Sequence, residues 1–308
     1  MVDDAELRGR VALVAGATRG AGRGIAVELA RAGAVVYATG RSSVDAGRSE
    51  IGRPETIDET GELIRAAGGT GHALRVDHLQ PDDVGRLIER IDAEHGRLDI
   101  LVNDIFGGDR YAQWDKTLWE HDLDGGLRLL RMGIDTHLIT SAKALPLILR
   151  HDGGVLIEMT DGTTEFNRAF RRGVGLYYDL VKAAVGRIVV GLTAELEDAT
   201  CTPLAVTPGW LRSEQMLENF RVTETTWRDA LEKTPHFCCS ESPTYVGRGI
   251  AALAADPGVD RYAGRTVSSA ELARTYGITD VDGTQPDCWR YVAEIQSAKR
   301  PASERGYR

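Results

Sequence analysis

The sequence predicts an α/β fold, a doubly wound parallel sheet of about seven strands with helices on both faces in one domain. Three observations predict it. Short apolar, β-rich runs alternate with amphipathic helical patterns along most of the chain. The first run, VALVA at 11–15, leads into the glycine turn GATRGAGRG and then a helix whose Ile25, Leu29 and Ala32 keep helical spacing until Gly33 stops it. A second β-rich run, AVVYA at 34–38, closes this strand-helix-strand unit within about thirty residues, the size of a parallel crossover.

The remaining elements follow in order. Residues 42–54 are polar and glycine-containing and read as a loop; ETIDETGELIRAAGG then gives a helix ended by Gly68 and Gly69. The third strand is 72–76. Pro81 opens a helix in which Val84, Leu87, Ile88 and Ile91 recur at i, i+3, i+4, i+7 up to Gly96. LDILV at 98–102 is almost wholly apolar, as a strand covered on both faces should be. The stretch 106–126 holds Trp114, Trp119 and several aspartates between glycines and is longer than an ordinary connection, so it reads as a functional loop or insertion.

One long helix is expected over 127–150, a fifth strand over 153–159, and a helix from near Tyr177 with Val181, Val185, Ile188, Leu192 and Leu196 as its buried stripe. The sixth strand, 203–206, runs into TPGW. After it, 211–242 is polar, aromatic and partly helical, a candidate substrate lid. YVGRGIAALAADP forms a further helix and GRTVSS a seventh strand. A dinucleotide-binding domain over 1–270 thus includes the lid, and 271–308 is a C-terminal extension packed on the same domain.

Composition excludes several classes. The 308 residues are 42% hydrophobic, enough for a large core, and 37 basic against 46 acidic side chains leave a net charge of −9. With no basic run, nucleic acid and anionic membrane are poor partners. Cys201, Cys238, Cys239 and Cys288 lack paired C-x-x-C spacing, so no metal is expected and reduced thiols are. The start MVDDAELRGR is acidic rather than basic then apolar, and no run reaches the ~18 apolar residues of a membrane span. A soluble cytoplasmic protein is the expectation.

Chemistry concentrates at predicted strand ends. Gly16, Gly20 and Gly22 stand as G-x-x-x-G-x-G between strand and helix, where missing side chains let backbone N–H groups and the helix dipole approach a pyrophosphate; Thr18 can hold the turn. At the end of the second strand an acid would accept from a ribose 2′-OH, whereas a cation suits a 2′-phosphate. Here Arg41 stands in TGRSS, Arg19 lies in the glycine turn, and no carboxylate follows until Asp45, which favours NADP(H) over NAD(H). Tyr178 and Lys182, four apart on one helix, stack a phenol and an ammonium on one face, a pairing suited to general acid/base work.

GATRGAG, VDH at 76–78, LVND at 101–104, Tyr178 with Lys182, and TPGWLRS at 207–213 together resemble, in order and spacing over about 8–270, the short-chain dehydrogenases/reductases, a Rossmann-type family. SAELARTYGITDVDG extends past that fold's usual end. The resemblance implies that Tyr178 gives a proton to a substrate carbonyl or takes one from an alcohol. It implies that Lys182 holds the nicotinamide ribose and lowers the tyrosine pKa, that Asp77 meets the adenine and Asn103 the cofactor ribose region, and that Pro208, Gly209 and Ser213 lie on the nicotinamide side. It also implies a homo-oligomer, dimer or tetramer.

The chain departs from the family pattern in four places, the first being that only Asn103 survives of the usual Asn-Asn-Ala-Gly after the fourth strand, followed here by Asp104, Ile105 and Phe106. Thr160 and Asp161 stand where the substrate-binding serine is usual, and an ionised carboxylate cannot donate to a carbonyl. Asp161 is protonated in a desolvated site, or Thr160, Thr163 or Thr164 supplies the hydroxyl, or Asp161 binds a polar substrate group, or it is a turn aspartate. The loop to Tyr178 is longer than usual and carries Arg168, Arg171 and Arg172, either for an anionic substrate group or as a solvated basic loop. Gly133 replaces the family's helix asparagine, leaving Asp135, His137 or a water for proton relay. The main expectation is an NADP(H)-dependent oxidoreductase acting on a small carbonyl or alcohol. The alternatives are a catalytically weakened dinucleotide-binding regulatory protein and non-redox acid/base chemistry by Asp161 and Tyr178. Trp114, Trp119, Trp210, Phe220 and Trp227 fall in loops over the crevice and suit an apolar or ring-containing substrate, or lid packing.

Overall fold

The computed structural model describes residues 6–308, so the first five residues of the acidic N-terminal stretch lie outside it. Seven strands form one parallel sheet in the order β3-β2-β1-β4-β5-β6-β7. They are β1 (Val11–Ala15), β2 (Val35–Gly40), β3 (Thr70–Arg75), β4 (Ile100–Asn103), β5 (Gly154–Met159), β6 (Cys201–Thr207) and β7 (Thr266–Ser268). Every residue of β1, β4, β5 and β6 is buried, the mark of strands covered by helices on both faces.

Alternate residues feed two core layers. Ala12, Val14, Val102, Ile157 and Val206 pack with Ile25, Leu29, Ile250 and Leu253 from α1 (Gly20–Arg31) and α8 (Pro243–Ala255). Leu13, Tyr37, Leu101 and Leu156 pack with Val84, Leu87, Ile91, Ala144 and Leu147 on the opposite face. Those residues come from α3 (Pro81–His95) and α5 (Thr136–Ile148). As expected, α3 has Pro81 at its start and ends on Gly96 in the left-handed region at φ 67°. The helix α2 (Ile57–Ala66) is opened by a reciprocal Thr56–Glu59 capping box.

The structure breaks the long helix expected over 127–150. It runs as α4 (Leu123–Leu130), a π-helical stretch (Arg131–Asp135) and then α5. The cause is tertiary. A Cβ at Gly126 would strike the Tyr177 ring and one at Gly133 would strike Val181. Both partners lie on α6 (Leu176–Glu195), so two glycines seven residues apart admit two side chains four residues apart. The seventh strand is shorter than GRTVSS suggests. Beyond it, α7 (Glu214–Phe220) has already followed β6, and α9 (Ser269–Tyr276) and α10 (Cys288–Tyr291) build the C-terminal part. No helix among the described residues is long and apolar enough to cross a membrane.

Register sets the site. Ala15 pairs with Thr39 and Asn103, Asn103 with Glu158, and Met159 with Val206, so the strand ends that carry Gly16, Asp104, Thr160 and Pro208 finish level along one edge. The strand order reverses between β1 and β4, which opens the crevice there.

Candidate active site

A cavity of about 990 Å³ opens at this edge, and its wall brings together most of the residues singled out in the sequence. Gly16, Thr18, Arg19, Gly20, Arg41 and Asp77 line it. Thr160, Asp161, Tyr178, Lys182, Pro208 and Gly209 also line it, as does Ser213, which lies beside Gly20. Gly16 has φ +90° and no room for a Cβ beside the Asp104 carbonyl; a Cβ on Gly22 would sit 2.5 Å from the Gly16 oxygen. The turn is thus a bare-backbone cradle at the start of α1, the form a dinucleotide pyrophosphate requires. Gly22 serves it from beneath, off the cavity wall.

Asn103 is a correction. It is wholly buried and donates to Ser141 Oγ and Glu158 Oε1, both at 2.9 Å, so it faces a polar network within the fold rather than the cavity. The carboxylate beside it, Glu158, draws the side chain inward; Asp104, Ile105 and Phe106 line the cavity instead. Asp104 receives a hydrogen bond from the Gly22 backbone. Burial raises its pKa to about 6, against the pull of Lys182 and other cations.

Tyr178 and Lys182 both reach the cavity from the first turns of α6, while neighbouring Tyr177 is buried on the other side. Thr160 fixes this helix to the end of β5, its hydroxyl donating to the Lys182 carbonyl at 2.8 Å. The Tyr178 ring packs edge-on to Phe106 and tilted against Trp114, and its hydroxyl donates to Asp161 Oδ2 at 3.4 Å. The net shift of this phenol runs opposite to the lowering expected of Lys182. Burial and the Asp161 and Asp109 carboxylates push the Tyr178 pKa well up. Lys182 Nζ lies 3.6 Å from the Phe106 ring centroid and 5.5 Å from that of Tyr178, and burial lowers its own pKa despite three nearby aspartates.

Asp161 is neither enclosed nor short of a counter-ion. Its side chain is 41% exposed and pairs with Arg171 at 2.8 Å, which removes the premise of a desolvated neutral acid. Arg171, 8% exposed, also donates to the Asp161 carbonyl and to Asn167 Oδ1, so it pins the carboxylate beside Tyr178. Arg172 also lines the cavity; Arg168 does not. Among the alternative hydroxyls, Thr160 is spoken for, and Thr163 caps the turn that follows by accepting from Phe166 N–H.

The relay candidates separate as well. Asp135 is paired with Arg131 on the surface, whereas His137 is buried at the cavity wall. His137 Nδ1 lies 2.5 Å from Glu158 and Nε2 lies 3.0 Å from the Ile105 carbonyl. Two acceptors, one on each nitrogen, suit the imidazolium. Burial is the largest influence and opposes that charge, but Glu158 and the Ile105 carbonyl together outweigh it and the pKa is raised. Of the aromatic residues, Trp210 reaches the cavity and Trp114 touches Tyr178. Trp227 and Phe220 cluster with Phe237, against which Trp210 also packs, and Trp119 is in solvent.

Sequence reasoning missed four participants. Glu50 grips Arg41 from within the loop, and Glu214, directly after Ser213, accepts from the Gly20 N–H. Cys288 and Trp289 bring the C-terminal part into the wall, with Trp289 Nε1 donating to the Pro208 carbonyl at 2.9 Å. The acid in the first turn of α7 was the only readable signal among these.

Comparison with known proteins agrees with this fold. A short chain dehydrogenase family model matches residues 10–224. Dehydrogenase/reductase SDR family member 1 of Mus musculus is 32% identical over 285 residues, covering 91% of this chain and 85% of that protein. A Serratia marcescens short-chain dehydrogenase/reductase variant superposes with a TM-score of 0.67 at 24% identity, over 85% of this chain and 97% of that one. A Shigella flexneri short chain dehydrogenase complexed with NADP gives 0.68 at 18% identity, over 87% and 99%.

Proposed function

Because the chain belongs to the short-chain dehydrogenase family, we propose that it is an NADP(H)-dependent oxidoreductase that passes hydride between the nicotinamide and a carbonyl or alcohol carbon, with Tyr178 as acid/base. The observation that carries this reading is the meeting, on one cavity wall, of the glycine cradle with Tyr178 and Lys182. The nicotinamide cofactor supplies the hydride chemistry when bound. Gly16, Thr18, Arg19 and Gly20 would hold its pyrophosphate end, Arg41 a 2′-phosphate, Asp77 the adenine, and Lys182, Pro208, Gly209 and Ser213 the nicotinamide half. The NADP in the Shigella flexneri relative supports the phosphorylated dinucleotide.

Tyr178 Oη gives its proton to the developing alkoxide in reduction and receives it back in oxidation. Asp161 opposes the phenolate through its charge, and Arg171 moderates that effect by pairing with Asp161. Lys182 supplies a positive charge on the same face of α6, which favours the phenolate when its ammonium turns from Phe106 toward the phenol. The segment 211–242 serves as the substrate lid, and the extension from 271 completes the wall through Cys288 and Trp289.

The test is NADPH oxidation against a panel of ketones and aldehydes. Tyr178→Phe should lower kcat by roughly 10²-fold or more while NADPH binding survives. Wild-type protein that binds NADPH yet oxidises it with no carbonyl, or a Tyr178→Phe enzyme as fast as wild type, would overturn the assignment.

A further inference from the structure

Two carboxylates of this chain already sit on groups that a dinucleotide's phosphates would use. At the start of α1 the Gly20 N–H donates to Glu214 Oε2 at 2.8 Å, and Arg23 pairs with the other oxygen at 3.1 Å. An anion at that N–H, on the positive end of the helix, makes the contact expected of a pyrophosphate oxygen. At the end of β2, Arg41 donates to both oxygens of Glu50 at 2.7 and 2.8 Å, and Arg128 adds a bond of 2.6 Å. Both Arg41 bonds come from the one nitrogen Nη1, so a carboxylate occupies a guanidinium donor that a phosphate oxygen would take.

Both glutamates are placed to leave. Glu50 is 33% exposed and Glu214 29% exposed, and ion pairs this close to solvent contribute little to stability. A phosphate that takes the same donor meets the repulsion of the carboxylate already on it. The consequences differ by position. Glu214 opens α7, whose Gln215 and Met216 line the cavity, so its release uncouples α7 from α1 as the cofactor enters. Glu50 competes only with a ligand that carries a 2′-phosphate.

We propose that Glu214 and Glu50 are intramolecular stand-ins for the cofactor phosphates. Glu214 holds the pyrophosphate position and the lid helix together, and Glu50 sets the discrimination between NADPH and NADH. The inference rests on the dinucleotide reading above.

The experiment titrates NADPH and NADH into the full chain and into Glu50→Gln and Glu214→Gln, read by nicotinamide fluorescence. Both side chains are only partly buried, so their neutral isosteres should leave the fold intact. Glu50→Gln should tighten NADPH by about tenfold, the worth of one charge-assisted hydrogen bond, and leave NADH within roughly twofold. Glu214→Gln should tighten both nucleotides by a similar factor. If Glu50→Gln shifts both nucleotides equally, or weakens NADPH, Glu50 is no stand-in. If Glu214→Gln weakens both, Glu214 belongs to the bound state and its part of the proposal falls. Wild type that binds nucleotide while both variants match it overturns the inference alone; failure of all three proteins to bind either nucleotide overturns the dinucleotide reading with it.

Discussion

At the scale of single residues, the cradle carries an acid that titrates near neutrality. Asp104 lies against Gly22 and Gly16, and burial lifts its pKa to about 6. Below that pH the carboxyl is neutral; above it the added charge opposes a pyrophosphate in the same cradle. Affinity should therefore fall as pH rises from 5 to 7.5. NADH is the right probe, since a 2′-phosphate would titrate in the same window. Asp104→Asn removes the group that titrates, so its dissociation constant for NADH should stay flat over that range; a variant that keeps the wild-type slope would move the effect elsewhere. The motif LVND pointed to Asn103, whereas the residue that lines the cavity is its neighbour Asp104; Tyr178 was distinguished from Tyr177 by spacing alone. Partners were not readable. The Gly20–Glu214 bond joins residues separated by 194 positions, and Glu50 reaches Arg41 only because the loop folds back.

Among elements, the strands and most helices were legible because their burial follows simple periods. Two-residue alternation divides the sheet between two core layers, and the 3.6-residue stripe of α3 is the stripe predicted. The break between α4 and α5 was not legible, since apolar residues continue through it and the π-helical stretch answers to a neighbouring helix. That neighbour is α6, and the contact explains why a glycine stands at 133. Val181 fits there, between Tyr178 and Lys182 in sequence. Gly133→Ala should overpack the contact, destabilising the protein by about 1–3 kcal/mol and lowering turnover by shifting the start of α6. Val181→Ala in the same chain should recover part of both losses, because the two positions share one space. Independent, additive effects on the melting temperature would show that the helices do not meet there.

Across the whole molecule, the least obvious construction joins the loop after β6, the lid segment and the C-terminal part. Arg212, 1% exposed, donates to Glu224, to the Ser240 carbonyl at 2.8 Å and to Asp280 at 2.9 Å. Arg308 adds a bond to Asp282 at 2.7 Å. Arg212 stands in TPGWLRS and Asp280 in SAELARTYGITDVDG, but neither motif announces the network, whose meaning exists only once three segments meet. Beneath Gly209 sits Glu241, wholly buried, with Oε2 accepting from Ser269 at 2.7 Å and Oε1 without a partner. Burial raises its pKa to about 8. The unfolded chain releases this proton near the ordinary value of 4.5, the folded chain only near 8, so the native state binds more protons in between. The stability associated with this group is then fully present below 4.5 and is lost as pH rises through 8, by a few kcal/mol in total. Glu241→Gln keeps an acceptor for Ser269 and has no proton to lose. Its stability relative to wild type should thus increase from pH 5 to pH 8, measured as the difference in urea midpoints at each pH. A difference that is constant with pH would mean that Glu241 is ionised in the folded protein, held by Ser269 and the Gly209 backbone rather than neutralised by burial.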